Sequence, residues 1–162
     1  MQNQDKKDYI PLGRQFTFLA KRYFGVLGKK LEHLEIDRYF YVLLIIHEQH
    51  ESCTQQQIAD HLHIDKASMA RIVDHLVRKE LVQRTVNPSN RRAHMLGVTK
   101  KGAGLIPEIR KAIRELNESA VAGMPPRMLE HFYEALSTIC KNLGQQPAHL
   151  FQVNFKKIKS KA

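Results

Sequence analysis

The stretch from Thr54 to Asp65 constrains this chain most, because it specifies two helix starts in quick succession. Thr54-Gln55-Gln56-Gln57 reads as a capping box: the Thr54 hydroxyl accepts from the amide of Gln57, and the Gln57 side chain reaches back to the amide of Thr54. The pattern predicts a helix over 55–62 with Ile58, Ala59 and Leu62 inward. His63 and Ile64 are left for a short turn. Asp65 is a good N-cap for a second helix over 66–79, with Met69, Ile72, Val73 and Leu76 as one apolar stripe and Val77 beside it. Lys66, Ser68, Arg71, His75 and Arg78 fall off that stripe.

A hairpin follows. Leu81–Val86 has strand composition, Asn87–Arg92 has turn chemistry, and Ala93–Val98 supplies the return strand, with Arg91 and Arg92 near the tip. Longer helices flank this unit. Ile10–Leu34 repeats Leu12, Phe16, Leu19, Tyr23, Val26 (or Leu27) and Leu31 at spacings of three and four. Gly13, Gly25 and Gly28 weaken it by up to about 1 kcal/mol each, so packing must compensate. A helix over 38–49, capped by Asp37, is apolar nearly all round and so expected to be buried. Thr99 caps a helix over 100–121 with Leu105, Ile109, Ile113 (or Ala112) and Leu116 on one side, and Pro107 is expected to bend it. Gly123 to Pro126 breaks the chain. Pro125 or Pro126 suits the first turn of a last helix bearing Leu129, Phe132, Leu136, Ile139 and Leu143, closed by Gly144 and Pro147. An apolar piece over Leu150–Phe155 follows, and the first eight residues and Lys156–Ala162 read as frayed ends. The fold class is mainly α with a small β-hairpin.

Charge narrows the function. The net charge is +10 and the pI about 9.8, which points to nucleic acid or an acidic membrane surface. From Asp65 to Lys101 nine basic residues stand against three acidic ones, so most of the surplus lies in the two-helix and hairpin unit. The longest apolar run, Tyr39–Ile46, is far too short to span a membrane. Two cysteines exclude a disulfide framework, and the polar first residues carry no signal-peptide core. A soluble, reduced, cytoplasmic protein is expected. No paired catalytic carboxylates, phosphate-binding glycine loop or nucleophile–base set appears, so an enzyme is not expected and no cofactor is called for.

Two short helices joined by a tight turn, followed by a hairpin with arginines at its tip, form the winged helix-turn-helix plan. The second helix enters the major groove by its N-terminal end, and the hairpin tip reaches the minor groove, where arginine is favoured. Gln56-Gln-Ile-Ala-Asp-His-Leu62, then 65–79, then Asn87-Pro-Ser-Asn-Arg-Arg92, then Val98-Thr-Lys-Lys-Gly102 resemble the MarR family (multiple antibiotic resistance regulators), in order and spacing, over about Tyr9 to Leu143. The resemblance implies a single MarR-like domain over 1–162. Within it, 37–101 is the DNA-binding lobe, and 9–34 and 102–155 are dimerisation helices. It implies a homodimer on a pseudo-palindromic double-stranded DNA operator, acting as a repressor and released by a small-molecule effector. By position it assigns DNA contact to Ser68, Ala70 and Arg71 in the recognition helix, to Arg92 and neighbouring Arg91 in the wing, and to Thr54, Gln55 and Gln56 at the backbone. Lys66, Ala67, Arg78 and Asn90 complete the expected contact set. Two departures stand out. The wing reads Asn90-Arg91-Arg92 where the family usually has Asp-x-Arg, and Glu80 stands where it usually has Gly. The second predicts that the recognition helix ends differently by a residue or so.

Other constellations carry weaker chemistry. His47, His50 and Cys53 offer metal ligands or a redox thiol, but Cys53 falls in the turn before Thr54 and no acidic or histidine cluster complements them. Cys140 falls in the last apolar stripe, where an inert buried thiol is expected. His61 and His63 read as polar residues flanking the turn. Phe16, Phe18, Tyr23, Phe24, Tyr39, Phe40 and Tyr41 are either core or the wall of a ligand cavity. For such a cavity Phe16, Tyr23 and Tyr39 are the expected aromatics, and Arg14 and Arg38 the groups to meet an anionic ligand. An architectural DNA-binding protein with no ligand is the alternative function.

Overall fold

The computed structural model describes residues 11–36, 39–49, 53–87 and 90–145, with the backbone alone at 87 and 90–93. The expected long first helix divides. α1 runs Leu12–Lys30, and a 3-10 turn covers Glu32–Leu34, with Glu35 left-handed at φ 51°. α2 runs Phe40–Glu48, starting later than expected, and buries Phe40, Val42, Leu43, Leu44 and Ile46. Asp37 and Arg38 lie outside the described residues, as do both chain ends, Pro147 and Leu150–Phe155. α3 spans Gln55–His61 and α4 Lys66–Arg78, each about a residue shorter than read from sequence.

The hairpin differs more. β2 is Val82–Asn87 and β3 is Asn90–Val98, so the ladder extends towards the tip and Asn90, Arg91 and Arg92 belong to β3 rather than to the turn. The register shifts between Val86 and Asn87, which lets Asn87 pair with Asn90. A third strand, β1 at Cys53–Thr54, pairs antiparallel with β3 through Cys53↔Leu96 and Thr54↔Met95. Cys53 is therefore in a sheet of order β1-β3-β2 and not in a turn. Two residues cannot show alternation, and their partners lie far along the chain, so no local signal announces this strand.

The core joins α2, α3, α4 and the sheet to one face of α5. Leu43, Ile46, Ile58, Met69, Val73, Leu76, Leu96 and Ile109 are all essentially inaccessible. α5, Lys100–Ala120, buries Gly102, Ile106, Ile109, Ala112 and Leu116. The buried stripe thus takes Ile106 and Ala112, while Leu105 and Ile113 lie half-buried beside it. Pro107 sits inside this helix on its exposed side. Polar ties fasten α5 to the elements before it: Tyr23 Oη donates to Asn117 Oδ1 at 2.6 Å, and ion pairs join Lys30 to Glu115 at 3.2 Å, His33 to Glu108 at 2.6 Å and Arg110 to Glu48 at 3.1 Å. α6, Pro126–Gly144, starts with Pro125 as N-cap and Pro126 at its first position, and buries no residue within the chain.

α4 ends in a left-handed residue, with Glu80 at φ 59° in place of the usual glycine. The amide of Leu81 bonds to Leu76 O and that of Glu80 to Val77 O, both at 2.9 Å, which is the Schellman pattern. The expectation that Glu80 would alter the helix end is corrected: tertiary anchoring holds the ordinary ending despite the Cβ. The Thr99 hydroxyl donates to Glu80 O at 2.6 Å and accepts from the Gly102 amide at 3.1 Å. Thr99 N bonds to Leu81 O at 3.1 Å. A Cβ at Gly102 would lie 2.2 Å from Leu81 O and 2.8 Å from Val98 Cγ1, so only glycine fits there.

Two stability outcomes follow from this junction. Gly102→Ala is expected to destabilise by about 1–3 kcal/mol or more, whereas Gly104→Ala, whose added Cβ meets nothing within 4 Å, should gain up to about 1 kcal/mol. Glu80→Gly should raise stability by about 0.5–1 kcal/mol by removing the left-handed penalty. Denaturant unfolding of the three variants checks all of these, and a neutral Gly102→Ala would contradict the packing described.

Candidate nucleic-acid interface

The interface is built on caps. Both halves of the box at Thr54 form: Thr54 N donates to Gln57 Oε1 at 2.8 Å and Gln57 N to Thr54 Oγ1 at 3.3 Å. α3 is therefore started at a defined residue, with Thr54 and Gln55 half-buried and Gln56 exposed and donating to Asp60 Oδ1 at 2.8 Å. The turn into α4 closes through Ile64 N to Ala59 O at 2.9 Å, with His63 left-handed at φ 50°. His61 and His63 are exposed.

Asp65 caps α4 by accepting from Ser68 N at 2.9 Å. That backbone amide, followed by the Ser68 hydroxyl, holds the Asp65 carboxyl below the usual carboxylate range. Met69, Val73 and Leu76 are buried, which turns Lys66, Ala67, Arg71 and Arg78 outward, while Ser68 and Ala70 are half-buried. Arg71 Nη2 donates to Ser68 Oγ at 2.9 Å, so its guanidinium is held back along the first turn of the helix. Arg78 lies two turns further on.

Beside this face stands the hairpin. Arg84 on β2 donates through Nη2 to Asp74 Oδ1 on α4 at 2.6 Å, a short charge-assisted bond joining the wing root to the helix. The structure places Asn90, Arg91 and Arg92 on β3; their side chains lie outside those described. Sequence reasoning did not single out the Asp74–Arg84 pair. Asp74 shares a face with Arg71 and Arg78 by helical spacing, but nothing local identifies its partner on a strand.

The other expected sites separate. A cavity of about 420 Å³ opens between α2 and α5, lined by Tyr41, Ile45, Glu48, Arg110, Arg114 and Asn117 among others. Of the residues expected to form a ligand site, Phe16, Tyr23 and Tyr39 are half-buried, Arg14 is exposed and Arg38 lies outside the described residues. None of the four described ones lines the cavity; Tyr23 touches its wall through Asn117. The signal for the actual lining was the spacing of Arg110, Arg114 and Asn117 along one helical face. Burial, then the hydrogen bond with Tyr23, raises the Tyr41 hydroxyl well above the ordinary phenol range. Cys53 is buried, and burial raises its thiol above the usual value, opposite to what a reactive thiolate needs. His47 is half-buried and His50 lies outside the described residues. Among the described residues no group of three His, Cys, Asp or Glu is arranged to hold a metal ion. Cys140, expected to be buried, is exposed on α6, since among the described residues nothing covers that side of the helix. Among the described residues no helix is long and apolar enough to cross a membrane.

The Asp65 cap makes a pH-dependent prediction. A depressed carboxyl pKa contributes stability that is fully present above the unfolded value, about 4, and is lost as pH falls through the folded one. Asp65→Asn retains a neutral cap, so the thermal-midpoint gap between wild type and variant should narrow as pH is lowered below about 4. A gap that stays constant through that range would remove the charge from the account.

The MarR family model matches residues 39–94, from the start of α2 into β3. The fold matches a solved MarR structure at TM-score 0.74 and 24% identity, covering 89% of this chain and 97% of that one. It matches a MarR transcriptional regulator from Methanosarcina mazei Go1 at TM-score 0.76 and 25% identity, over 83% and 96% of the two chains. A MarR-family transcriptional regulator from Listeria monocytogenes, solved with a 26-mer DNA, matches at TM-score 0.76 and 20% identity, over 86% and 99%. These are families and folds of transcription regulators rather than of enzymes. Residues 39–94 thus carry a match to the MarR family model, and the fold around them is that of solved MarR-family transcription regulators.

Proposed function

We propose that the chain is a homodimeric, sequence-specific DNA-binding regulator that represses transcription and is released by a small molecule. The observation that carries this reading is the outward face of α4, with Lys66, Arg71 and Arg78 exposed beside a basic hairpin. Ser68, Ala70 and Arg71 meet base edges in the major groove, with Lys66, Ala67 and Arg78 beside them. Thr54, Gln55 and Gln56 meet the backbone, and Asn90, Arg91 and Arg92 reach the minor groove. The DNA-bound Listeria protein of the same fold supports this assignment.

A second copy is supported by the two outer helices. α1 exposes Leu12, Phe18 and Leu19, and α6 exposes Met128, Tyr133 and Leu143, each more than half accessible. So many large apolar groups on two helices of one soluble chain mark a protein interface. Effector release is supported by the cavity between α2 and α5, which joins an apolar floor of Leu44, Ile45 and Ile113 to a polar rim of Glu48, Arg110, Arg114 and Glu118. The mechanism is a population shift: a ligand favouring one spacing of the two lobes moves them out of register with successive major grooves.

The test is an anisotropy titration of labelled duplex from the region upstream of the protein's own gene against scrambled duplex at several salt concentrations, with sedimentation to weigh the complex. A preference of about a thousandfold or more, with one dimer per site, is expected. Equal affinity for both duplexes with a steep salt dependence would refute sequence-specific recognition at that site. Arg71→Ala should cost about 1–3 kcal/mol on the preferred duplex and less on the scrambled one. Equal losses on both would reduce Arg71 to a phosphate contact.

A further inference from the structure

We infer that Asp74 is an internal anion that withholds Arg84 from DNA phosphates, and so sets how weakly this protein binds duplex of arbitrary sequence. The inference rests on the DNA-binding reading above. Asp74 is three residues beyond Arg71 and four before Arg78, so it lies on the helix face that carries those cations. A carboxylate there faces a polyanion and opposes binding unless it is neutralised. Arg84 neutralises it from β2, at 2.6 Å, and is the less exposed partner, with 32% of its side chain accessible against 53% for Asp74. Arg71, by contrast, donates to a neutral hydroxyl, with the Asp65 carboxylate at the start of the helix also feeling its charge.

An exposed ion pair is worth little by itself. Here the alternative is worse. Moving Arg84 to a phosphate would strand Asp74 among phosphates, with like-charge repulsion in place of its partner. The pair therefore stays closed on DNA. Arg84 releases no counterions, and the wing root stays in register with the recognition helix. Non-specific binding is almost wholly a count of phosphate contacts. A closed pair thus lowers non-specific affinity without touching base readout, and widens the gap between the right sequence and all others.

The experiment measures affinity for a scrambled duplex as a function of salt for wild type, Asp74→Asn, Arg84→Gln and the double variant. Glu130→Gln, which removes an exposed acid on α6, controls for the change in net charge. Asp74→Asn should steepen the log–log salt slope by about 0.9, one added phosphate, and tighten binding roughly five- to tenfold at about 0.1 M salt. Arg84→Gln, which leaves Asp74 unneutralised, should weaken binding, and the double variant should return to the wild-type slope. A slope that Asp74→Asn leaves unchanged, or a double variant whose slope falls about 0.9 below wild type, as it would if Arg84 already contacted phosphate, would overturn the inference. A rise reproduced by Glu130→Gln would overturn it as well. Wild type with no salt-dependent affinity for any duplex would instead overturn the DNA-binding reading itself. Circular dichroism of each variant confirms that the fold is retained.

Discussion

The carbonyls of Glu80 and Leu81 are the point on which the rest of this structure turns. The amides of the same two residues close the last turn of α4, β2 leaves directly after them, and the start of α5 is pinned against their carbonyls. Thr99 serves both sides, donating to Glu80 O while capping Gly102. Gly102 then approaches Leu81 O so closely that no side chain fits between. α4, β2 and α5 thus share one node.

The same node explains why Glu80 tolerates a left-handed conformation. Its carbonyl is held by Thr99, its amide by Val77 O, and its carboxylate lies 3.3 Å from Lys101 Nζ. Backbone strain of about 1–2 kcal/mol persists where several bonds over-determine the geometry. A second set of ties runs along α5, from Tyr23, Lys30, His33 and Glu48. Most of these are exposed ion pairs with small individual energies, so they define register more than stability. Arg110 stands out because its pairing with Glu48 bridges α2 and α5 at the wall of the cavity.

Much of the lobe is legible in the sequence. The Thr54–Gln57 box and the Asp65 cap depend only on side chains within three residues of the amides they satisfy, so the helix starts were readable. The stripe Met69, Val73 and Leu76 was readable for the same reason: one helix period repeated cleanly. The contacts that cross between elements were not. β1 is two residues long, the Asp74–Arg84 pair joins a helix to a strand, and the cavity wall gathers α2 and α5. The choice of Ala112 over Ile113 on α5 was also hidden, since adjacent apolar residues lie about 100° apart and either can face inward. Cys140 shows the reverse error: an apolar stripe announces that a face will be covered, but not whether its own chain covers it.

Local chemistry along the chain was enough to specify where four of the six α-helices among the described residues begin, which faces are apolar, where the positive charge concentrates and that a hairpin follows the second short helix. These properties come from short-range hydrogen bonds, fixed periodicity and charge count, none of which needs a partner from elsewhere in the chain. Long-range packing decided the third strand, the left-handed end of α4, the node at Gly102, the pairing of Arg84 with Asp74 and the place of the cavity. Each of those depends on which distant surfaces meet and how closely their backbones approach, and that is a property of the assembled core.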